Sequence, residues 1–278
     1  MEIKFNQHCM DLTFPQVMGI LNMTPDSFSD GGHYNNLDTA MRRVDSMIQA
    51  GATFIDIGGE STRPGADDVS VDEELQRVVP MVEKVAQYFD VWISVDTSKP
   101  EVITESAKAG AHLINDIRAL TLPGALSAAQ KTGLPVCLMH MQGEPKTMQE
   151  APCYEQDIYQ DVDRFFTQHI ERCITAGIEK QKIILDPGFG FGKTLQHNYR
   201  LLAKLTELEH FGLPLLVGMS RKSMIGQLLN VPPLERTIGS VSCAVIAAMK
   251  GAKIIRAHDV KETFDALRIV QATLSESF

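Results

Sequence analysis

The sequence predicts an α/β protein, a (β/α)8 TIM barrel in which residues 1–278 form a single domain. Three observations predict this fold. Eight short apolar runs recur along the chain, the segments between them have helical character, and a polar or charged residue follows nearly every run. An open, doubly wound sheet is the competing fold for such an alternation. We favour the closed barrel because eight strand–helix units match its repeat.

The eight apolar runs are rich in isoleucine, leucine and valine and show little strict alternation. This composition is typical of parallel strands that are buried on both faces. In chain order the predicted strands are Val17–Leu21, Thr53–Ile57, Val91–Val95, Ala111–Ile114, Pro135–Met139, Lys182–Leu185, Leu213–Val217 and Lys253–Ile255. Residues Met1–Gln16 precede them, and we expect this segment to cover the bottom of the barrel.

Helices are predicted where apolar residues recur at a spacing of three or four between two strands. Glycine follows several of these segments, as at Gly51 and Gly110, and Pro100 stands where a first-turn proline belongs. The predicted helices are Leu37–Ala50, Val71–Phe89, Pro100–Ala109, Asp161–Ala176 and Val260–Leu274.

Composition narrows the kind of partner. The formal net charge of −9 argues against a nucleic-acid or membrane-surface binder, although a site can still be locally positive. The five cysteines are odd in number and never spaced as Cys-x-x-Cys, so we expect reduced thiols rather than disulfides or zinc. The first residues lack the apolar stretch of a signal peptide, and no segment has about 18 uninterrupted apolar residues. We therefore expect a cytoplasmic protein without a membrane or nucleic-acid partner.

Polar groups stand at the C-terminal ends of the predicted strands, where the active sites of such barrels lie. Carboxylate and amide groups follow three of the strands, at Asp96, Asn115 and Asp186. They suit a flat heterocycle whose amino-pyrimidinone edge presents several donors in one plane. Lys222 can cover the remaining ring acceptors. The pattern predicts one polar pocket.

A second set of strand-end groups is cationic. Arg63, Arg221, Arg256 and His258 are suited to a phosphate or a pyrophosphate. Asn22 supplies a neutral oxygen for Mg²⁺, which normally keeps waters and substrate phosphates as its other ligands. We therefore expect an anion beside the heterocycle and Mg²⁺ as the cofactor.

Each of these residues has a plainer interpretation when it is taken alone. Asp96 stands where a helix N-cap is expected, and Asn115 could cap a turn together with Asp116. Ordinary solvated surface positions are the alternative for Lys193, Lys222, Arg256 and His258. The occurrence of all of them at matching strand ends favours the pocket.

The glycine-rich segment Asp186–Thr194 is predicted to bring backbone close to a ligand. It is not a phosphate-binding P-loop, because Pro187 occupies the position of the first required glycine. Phe189 or Phe191 is expected to form an aromatic wall, with a place in the core as the alternative. His140 is expected to pack beside the site or to support it.

Several motifs resemble those of the dihydropteroate synthase family of pterin-binding barrels, in its Gram-negative form. They cover essentially the whole chain, in order, and include the first-loop and second-loop signatures of the family. These motifs are Asn22–Gly32, Gly58–Gly65, Ser94–Thr97, Ile114–Asp116, the Asp186 loop, Ser220–Ser223 and Arg256–Asp259.

This resemblance implies the condensation of 6-hydroxymethyl-7,8-dihydropterin diphosphate with 4-aminobenzoate, a step of folate synthesis that sulfonamides inhibit. It also implies a homodimer. By the same likeness Asp96, Asn115, Asp186 and Lys222 would hold the pterin, and Asn22 (through Mg²⁺), Arg63, Arg256 and His258 would hold the diphosphate. The aminobenzoate site would comprise Phe28, Thr62, Pro64, Phe191 and Ser220. We expect Asp96, Lys222 and Arg63 to contribute to catalysis.

Three other functions fit parts of the pattern. A pterin-binding methyltransferase barrel would share the heterocycle pocket but would not need the arginine and histidine group. A catalytically inactive paralogue would bind pterin without turnover. A sugar-phosphate barrel enzyme is the third alternative.

Overall fold

The computed structural model describes residues 1–23, 33–61, 68–144, 147–150, 152–154 and 157–275, without the side chains of residues 33–36. Within these ranges eight parallel strands close into a barrel, in the order β10-β3-β4-β5-β6-β7-β8-β9. The strands are β1 (Glu2–Phe5), β2 (His8–Asp11), β3 (Gln16–Asn22), β4 (Phe54–Gly58), β5 (Trp92–Asp96), β6 (Leu113–Asp116), β7 (Val136–Met139), β8 (Ile183–Asp186), β9 (Leu215–Val217) and β10 (Ala252–Ala257). The barrel confirms the predicted fold class.

Helices surround the barrel. In the part of the chain that is described they are α1 (His33–Gln49), α2 (Val71–Tyr88), α3 (Pro100–Ala109), α4 (Ala125–Thr132), α5 (Ile158–Thr175), α6 (Leu195–Ala203), α7 (Ser223–Leu229), α8 (Thr237–Met249) and α9 (Val260–Ser275). None of them is long and apolar enough to cross a membrane, within the ranges given above. Five helices were predicted and are confirmed, although α1 begins four residues and α5 three residues earlier than expected. The carboxylate of Asp157 caps the earlier start of α5 by accepting the N–H of Tyr159 at 3.1 Å.

Four helices, α4 and α6–α8, have no counterpart among the predicted ones. In α8 the reason is clear. Alanine, valine and isoleucine occur on most of its faces, so the helix lacks the periodic contrast between apolar and polar residues on which such predictions depend.

The N-terminal segment closes the bottom of the barrel, as predicted. Strands β1 and β2 form an antiparallel hairpin. Ile3 and Leu12 pack into one buried cluster with inward-facing residues from all eight barrel strands. The opposite, C-terminal end of the barrel carries the polar strand-end residues.

Strand register sets the level of the functional side chains. Asn22 pairs with Gly58, Gly58 with Asp96, and Asp96 with Asn115. Four neighbouring strands therefore end at one height around the C-terminal mouth of the barrel. Gly58 has no side chain, and a Cβ added there would lie in ordinary contact with the Cβ of Asp96, at 3.4 Å.

Candidate active site

A carboxylate that the sequence prediction missed organises the floor of the mouth. Asp56, from β4, is fully buried. Its Oδ1 accepts the hydroxyl of Ser94 at 2.5 Å. Its Oδ2 accepts Nδ2 of Asn115 at 3.2 Å and Nε of Arg256 at 2.6 Å. The available signal was a charged residue inside the apolar run Thr53–Ile57, since a carboxylate buried in a core strand needs partners.

Arg256 joins Asp56 to Asp96. Its Nη2 donates to Oδ2 of Asp96 at 3.0 Å, while its Nε binds Asp56. The heterocycle-binding and anion-binding sets, predicted as separate groups, therefore meet at this guanidinium. Asp96 is not the N-cap of α3, because Lys99 occupies that position.

Burial controls the protonation of Asp96. The side chain is almost fully enclosed, and this desolvation raises its pKa from 3.8 to about 7. Arg256 opposes the rise, and the carboxylates of Asp56 and Glu74 add to it. Asp96 is thus a carboxylate that titrates near neutral pH.

Asn115 and Asp116 divide two tasks. Asn115 is buried, and its side-chain amide donates a hydrogen bond to the carboxylate of Asp56 at the floor of the site. Asp116 faces the other way, and its oxygens accept the backbone N–H groups of Arg118 and Leu120, both at 2.8 Å. The turn-capping alternative thus applies to Asp116 and leaves Asn115 for the pocket.

Lys222 lies against the glycine-rich loop rather than in solvent. Its Nζ donates to the carbonyl of Phe189 at 2.6 Å and lies 4.5 Å from the ring centre of Phe191. Burial lowers the pKa of Lys222 to about 8, against the opposing charge of Asp186. Asp186 is itself buried, which raises its pKa, while Lys222 lowers it.

The two phenylalanines of this loop have different surroundings. Phe189 is fully buried in the main core, so the core alternative is correct for this residue. Phe191 packs beside Ile117, Met139 and Met148 in a small cluster at the mouth. Together with the contact to Lys222, this position fits an aromatic wall.

Ser220 and His258 connect the loops after β9 and β10. The Oγ of Ser220 accepts the backbone N–H of His258 at 3.1 Å and lies 3.1 Å from its Nδ1. Arg221, expected among the phosphate-binding cations, instead donates its Nε to Asp259 at 3.0 Å. The ion pair between Arg221 and Asp259 therefore braces the rim of the mouth.

Asn22 ends β3 at the same level, half-buried. No hydrogen bond to its side-chain amide occurs within the described ranges. Nor do these ranges contain a cluster of three or more histidine, cysteine or acidic residues that could hold a metal. The donor set thus fits a metal only where a substrate brings most of the ligands. The predicted site residues Phe28, Thr62, Arg63 and Pro64 lie outside the described residues.

The site combines buried carboxylates, an amide, a lysine and an arginine at the mouth of a (β/α)8 barrel, and this arrangement suits a polar heterocycle carrying an anionic group. A family model described as pterin binding enzyme matches residues 18–258. The chain belongs to this family of pterin-binding enzymes.

Comparison with individual proteins narrows the family. The dihydropteroate synthase of Escherichia coli (strain K12) is 70% identical over 266 residues, which cover 96% of this chain and 94% of the relative. That of Haemophilus influenzae is 56% identical, covering 98% and 99%. The crystal structure of Yersinia pestis dihydropteroate synthase with a sulfonamide drug has a TM-score of 0.95 and 69% identity, covering 99% and 100%. Within its family the chain thus groups with the dihydropteroate synthases of Gram-negative bacteria, which are transferases.

Proposed function

We propose that the mouth of this barrel condenses 6-hydroxymethyl-7,8-dihydropterin diphosphate with 4-aminobenzoate in folate biosynthesis, giving 7,8-dihydropteroate and pyrophosphate. The observation that carries the proposal is the arrangement of Asp56, Asp96, Asn115 and Arg256, which places two buried carboxylates and an amide beside one fixed cation. The kinship with dihydropteroate synthases supports the same reaction.

The pterin would be held by Asp96, Asn115, Asp186 and Lys222. A pterin ring offers amino and ring N–H donors along one edge, which carboxylates accept, and a carbonyl that a lysine can bind. Asp186 and Lys222 approach from the β8 and β9 ends of the barrel, whereas Asp96 and Asn115 approach from β5 and β6. A flat ring would therefore be contacted from both sides of the mouth.

The diphosphate would lie next to Arg256 and His258, with Arg63 and Asn22 completing its site. Arg256 has five N–H donors, and its two carboxylate contacts use only Nε and Nη2. Its remaining donors can bind a phosphate oxygen. Asn22 would supply one oxygen to Mg²⁺, which, when bound, neutralises charge on the leaving pyrophosphate.

The proposed chemistry needs no covalent nucleophile. The bond between the pterin methylene carbon and the diphosphate oxygen breaks, and the electron pair leaves with pyrophosphate. The aryl amine then bonds to that carbon and loses a proton. The positive charge that develops on the pterin is stabilised by the carboxylate of Asp96, while Arg63, Arg256 and His258 stabilise the departing negative charge. Lys222 assists by orienting the ring.

The 4-aminobenzoate would enter beside Phe191 and Ser220, with Phe28, Thr62 and Pro64 from the two long loops. Phe191 offers an apolar face at the mouth, and Ser220 lies next to His258. Aminobenzoate would therefore approach the pterin carbon from the side of the leaving group. Sulfonamides would compete for this site, as suggested by the relative solved with a sulfonamide drug.

The test is pyrophosphate release from the purified protein with the pterin diphosphate, in the presence and absence of 4-aminobenzoate. We expect stoichiometric release together with dihydropteroate when both substrates are present. Pterin binding without any release would instead favour an inactive pterin-binding paralogue. Methyl transfer to or from a reduced pterin would favour the methyltransferase alternative.

We also propose a homodimer, formed through the outer face of α7–α9. Several large apolar side chains are exposed on or near these helices, and α8 and α9 pack side by side. They are Leu228, Leu234, Ile238, Met249 and Ile269. An apolar face of this kind is typical of an oligomer interface.

Light scattering after size-exclusion chromatography tests this proposal. The wild type should have twice the chain mass, and Ile238→Asp should shift it toward the monomer, since Ile238 is 81% exposed in the single chain. Tyr88→Asp, on α2, is the matched control and should remain dimeric.

A cytoplasmic location is proposed as well, because all five cysteines are free thiols.

A further inference from the structure

Five consecutive carbonyl groups of the loop after β8 each accept a hydrogen bond from a side chain. Lys193 donates to the carbonyls of Gly188, at 2.8 Å, and Phe191, at 3.1 Å. The other three donors are Lys222 on Phe189, Gln149 on Gly190, and Tyr154 on Gly192. A loop without regular secondary structure is thus held by side chains in place of a backbone ladder.

Lys193 lies at the centre of this arrangement. Its side chain is 3% exposed, and Nζ also lies 2.9 Å from Nδ1 of His140 and 3.3 Å from the His140 carbonyl. Carbonyl oxygens only accept hydrogen bonds, so the amino group of Lys193 is the donor in each of its carbonyl contacts, although burial lowers the pKa of Lys193 well below its usual value. Burial lowers the pKa of His140, which keeps the ring neutral and able to accept at Nδ1. These contacts can form together only when the loop has this one conformation, so Lys193 favours that conformation over others.

The loop has little freedom on its other side. Gly188 has a φ of +69°, and a Cβ there would lie 1.8 Å from the carbonyl oxygen of His140. Gly192 has a φ of +63°, and its Cβ would lie 2.4 Å from the carbonyl oxygen of Gln142. The loop backbone therefore presses directly against the segment after β7, while Lys193 holds it there.

The loop connects Lys193 to two residues of the pocket. The N–H of Gly188 donates to Oδ1 of Asp186 at 2.8 Å, so the Gly188 peptide fixes the orientation of that carboxylate. The carbonyl of Phe189 fixes the ammonium of Lys222. Phe191, whose carbonyl binds Lys193, carries the ring below Lys222. Displacing the loop would move all three groups at once.

We propose that Lys193 is a positioning residue for the substrate pocket: by gathering the Gly188 and Phe191 carbonyls around its buried amino group, it sets Asp186 and Lys222 for the pterin and Phe191 for 4-aminobenzoate. This inference rests on the function proposed above.

The experiment compares wild type, Lys193→Met, Tyr154→Phe and Lys180→Met by steady-state pyrophosphate release, with a thermal melt of each. Methionine approximates the length of the lysine stem without its donors. Tyr154→Phe removes only the hydrogen bond to Gly192 and preserves packing. Lys180 is exposed and distant in the fold, so Lys180→Met is the matched control.

For Lys193→Met we expect KM to rise about tenfold or more for both substrates, with a smaller change in kcat. Tyr154→Phe should raise both KM values in the same direction by a smaller factor, and Lys180→Met should match wild type. A merely structural role would reduce the active fraction, which lowers kcat and leaves KM unchanged. That outcome, or KM values within about twofold of wild type in both loop variants, overturns the proposal.

Tyr154→Phe keeps the test decisive should Lys193→Met fail to fold. The wild-type assay distinguishes a failure of the proposed function from a failure of the role assigned to Lys193. Absence of pyrophosphate release by wild type contradicts the proposed function. Normal wild-type turnover with unchanged KM values in the loop variants contradicts only the role of Lys193.

Discussion

Asp56 and Arg256 lie 200 residues apart in the sequence, yet Nε of Arg256 donates to the fully buried carboxylate of Asp56 at 2.6 Å. The ion pair links the side chains of β4 and β10, the strands on either side of β3. It also fixes the guanidinium beside Asp96. A fully buried carboxylate at the floor of the mouth can thus determine the position of the partly exposed Arg256.

Replacement of Asp56 by asparagine should destabilise the fold. The amide has nearly the same size, but it leaves Arg256 with one carboxylate partner in a buried site, a loss we put at about 3 kcal/mol. Urea unfolding followed by circular dichroism measures it. Asp265→Asn, which removes an exposed partner of Lys261, is the control and should change stability by less than about 0.5 kcal/mol. Equal stability of the two variants would show that Asp56 has no such role.

The pH dependence of kcat/KM should be bell-shaped. The pKa of Asp96 is raised to about 7, so the carboxylate becomes protonated as pH falls below that value and loses the charge that favours the pterin cation. The pKa of Lys222 is lowered to about 8, so its ammonium is lost as pH rises above that value. Activity should therefore decline on both sides of a narrow optimum.

The acidic side of this profile has its own control. Asp96→Asn removes the group that titrates there, so its residual kcat/KM should no longer fall as the pH drops below about 7. An acidic limb that is the same in this variant as in wild type would assign the titration to another group.

These electrostatic features show which parts of the site could be predicted from the sequence. The strand-end positions of Asp96, Asn115, Asp186 and Lys222 were predicted, because buried parallel strands leave a recognisable apolar run and their ends converge in a barrel. The partners of these residues were not. Arg256 reaches Asp96 from 160 residues away, and no local pattern encodes such a pairing.

Buried polar residues were the hardest to predict. Asp56 lies inside the apolar run Thr53–Ile57, where the pattern predicts only a buried strand. For Lys193 a solvated position is the plainer interpretation of the sequence, yet the side chain is almost completely enclosed. The solvated alternative is therefore wrong for Lys193, because loop carbonyls surround its amino group with acceptors. The role of the loop carbonyls as acceptors depends on backbone conformation, which sequence spacing does not give.

Magnesium should bind strongly only with the diphosphate. One amide oxygen from Asn22 is too weak a site alone, and no acidic cluster replaces it within the described ranges. Calorimetry of Mg²⁺ into the protein alone should show little heat, and into the protein with pyrophosphate it should show binding. Asn22→Ala should weaken the second titration. Tight binding of Mg²⁺ to the protein alone would refute this prediction.

Substitutions in the two long loops should discriminate sulfonamides from 4-aminobenzoate. A sulfonamide carries a substituent beyond the position of the small carboxylate, so it would extend toward Phe28 and Pro64, whereas the substrate would depend on polar contacts near Ser220. One lost apolar contact is worth about 1–3 kcal/mol, or tenfold and more in the ratio of inhibitor Ki to aminobenzoate KM. Phe28→Leu and Pro64→Ser should both raise this ratio, and an unchanged ratio in both would exclude the contact.

The central claim is that the pocket around Asp96 carries the chemistry, and Asp96→Asn tests it most directly. The measurement is pyrophosphate release at saturating substrates, paired with the Kd of the pterin diphosphate measured by calorimetry. The amide preserves shape but removes the charge that opposes the developing cation, an effect of about 3 kcal/mol. We predict a kcat roughly a hundredfold below wild type, with a smaller change in Kd. A kcat within a few-fold of wild type would contradict the role assigned to Asp96 and, with it, the proposed mechanism.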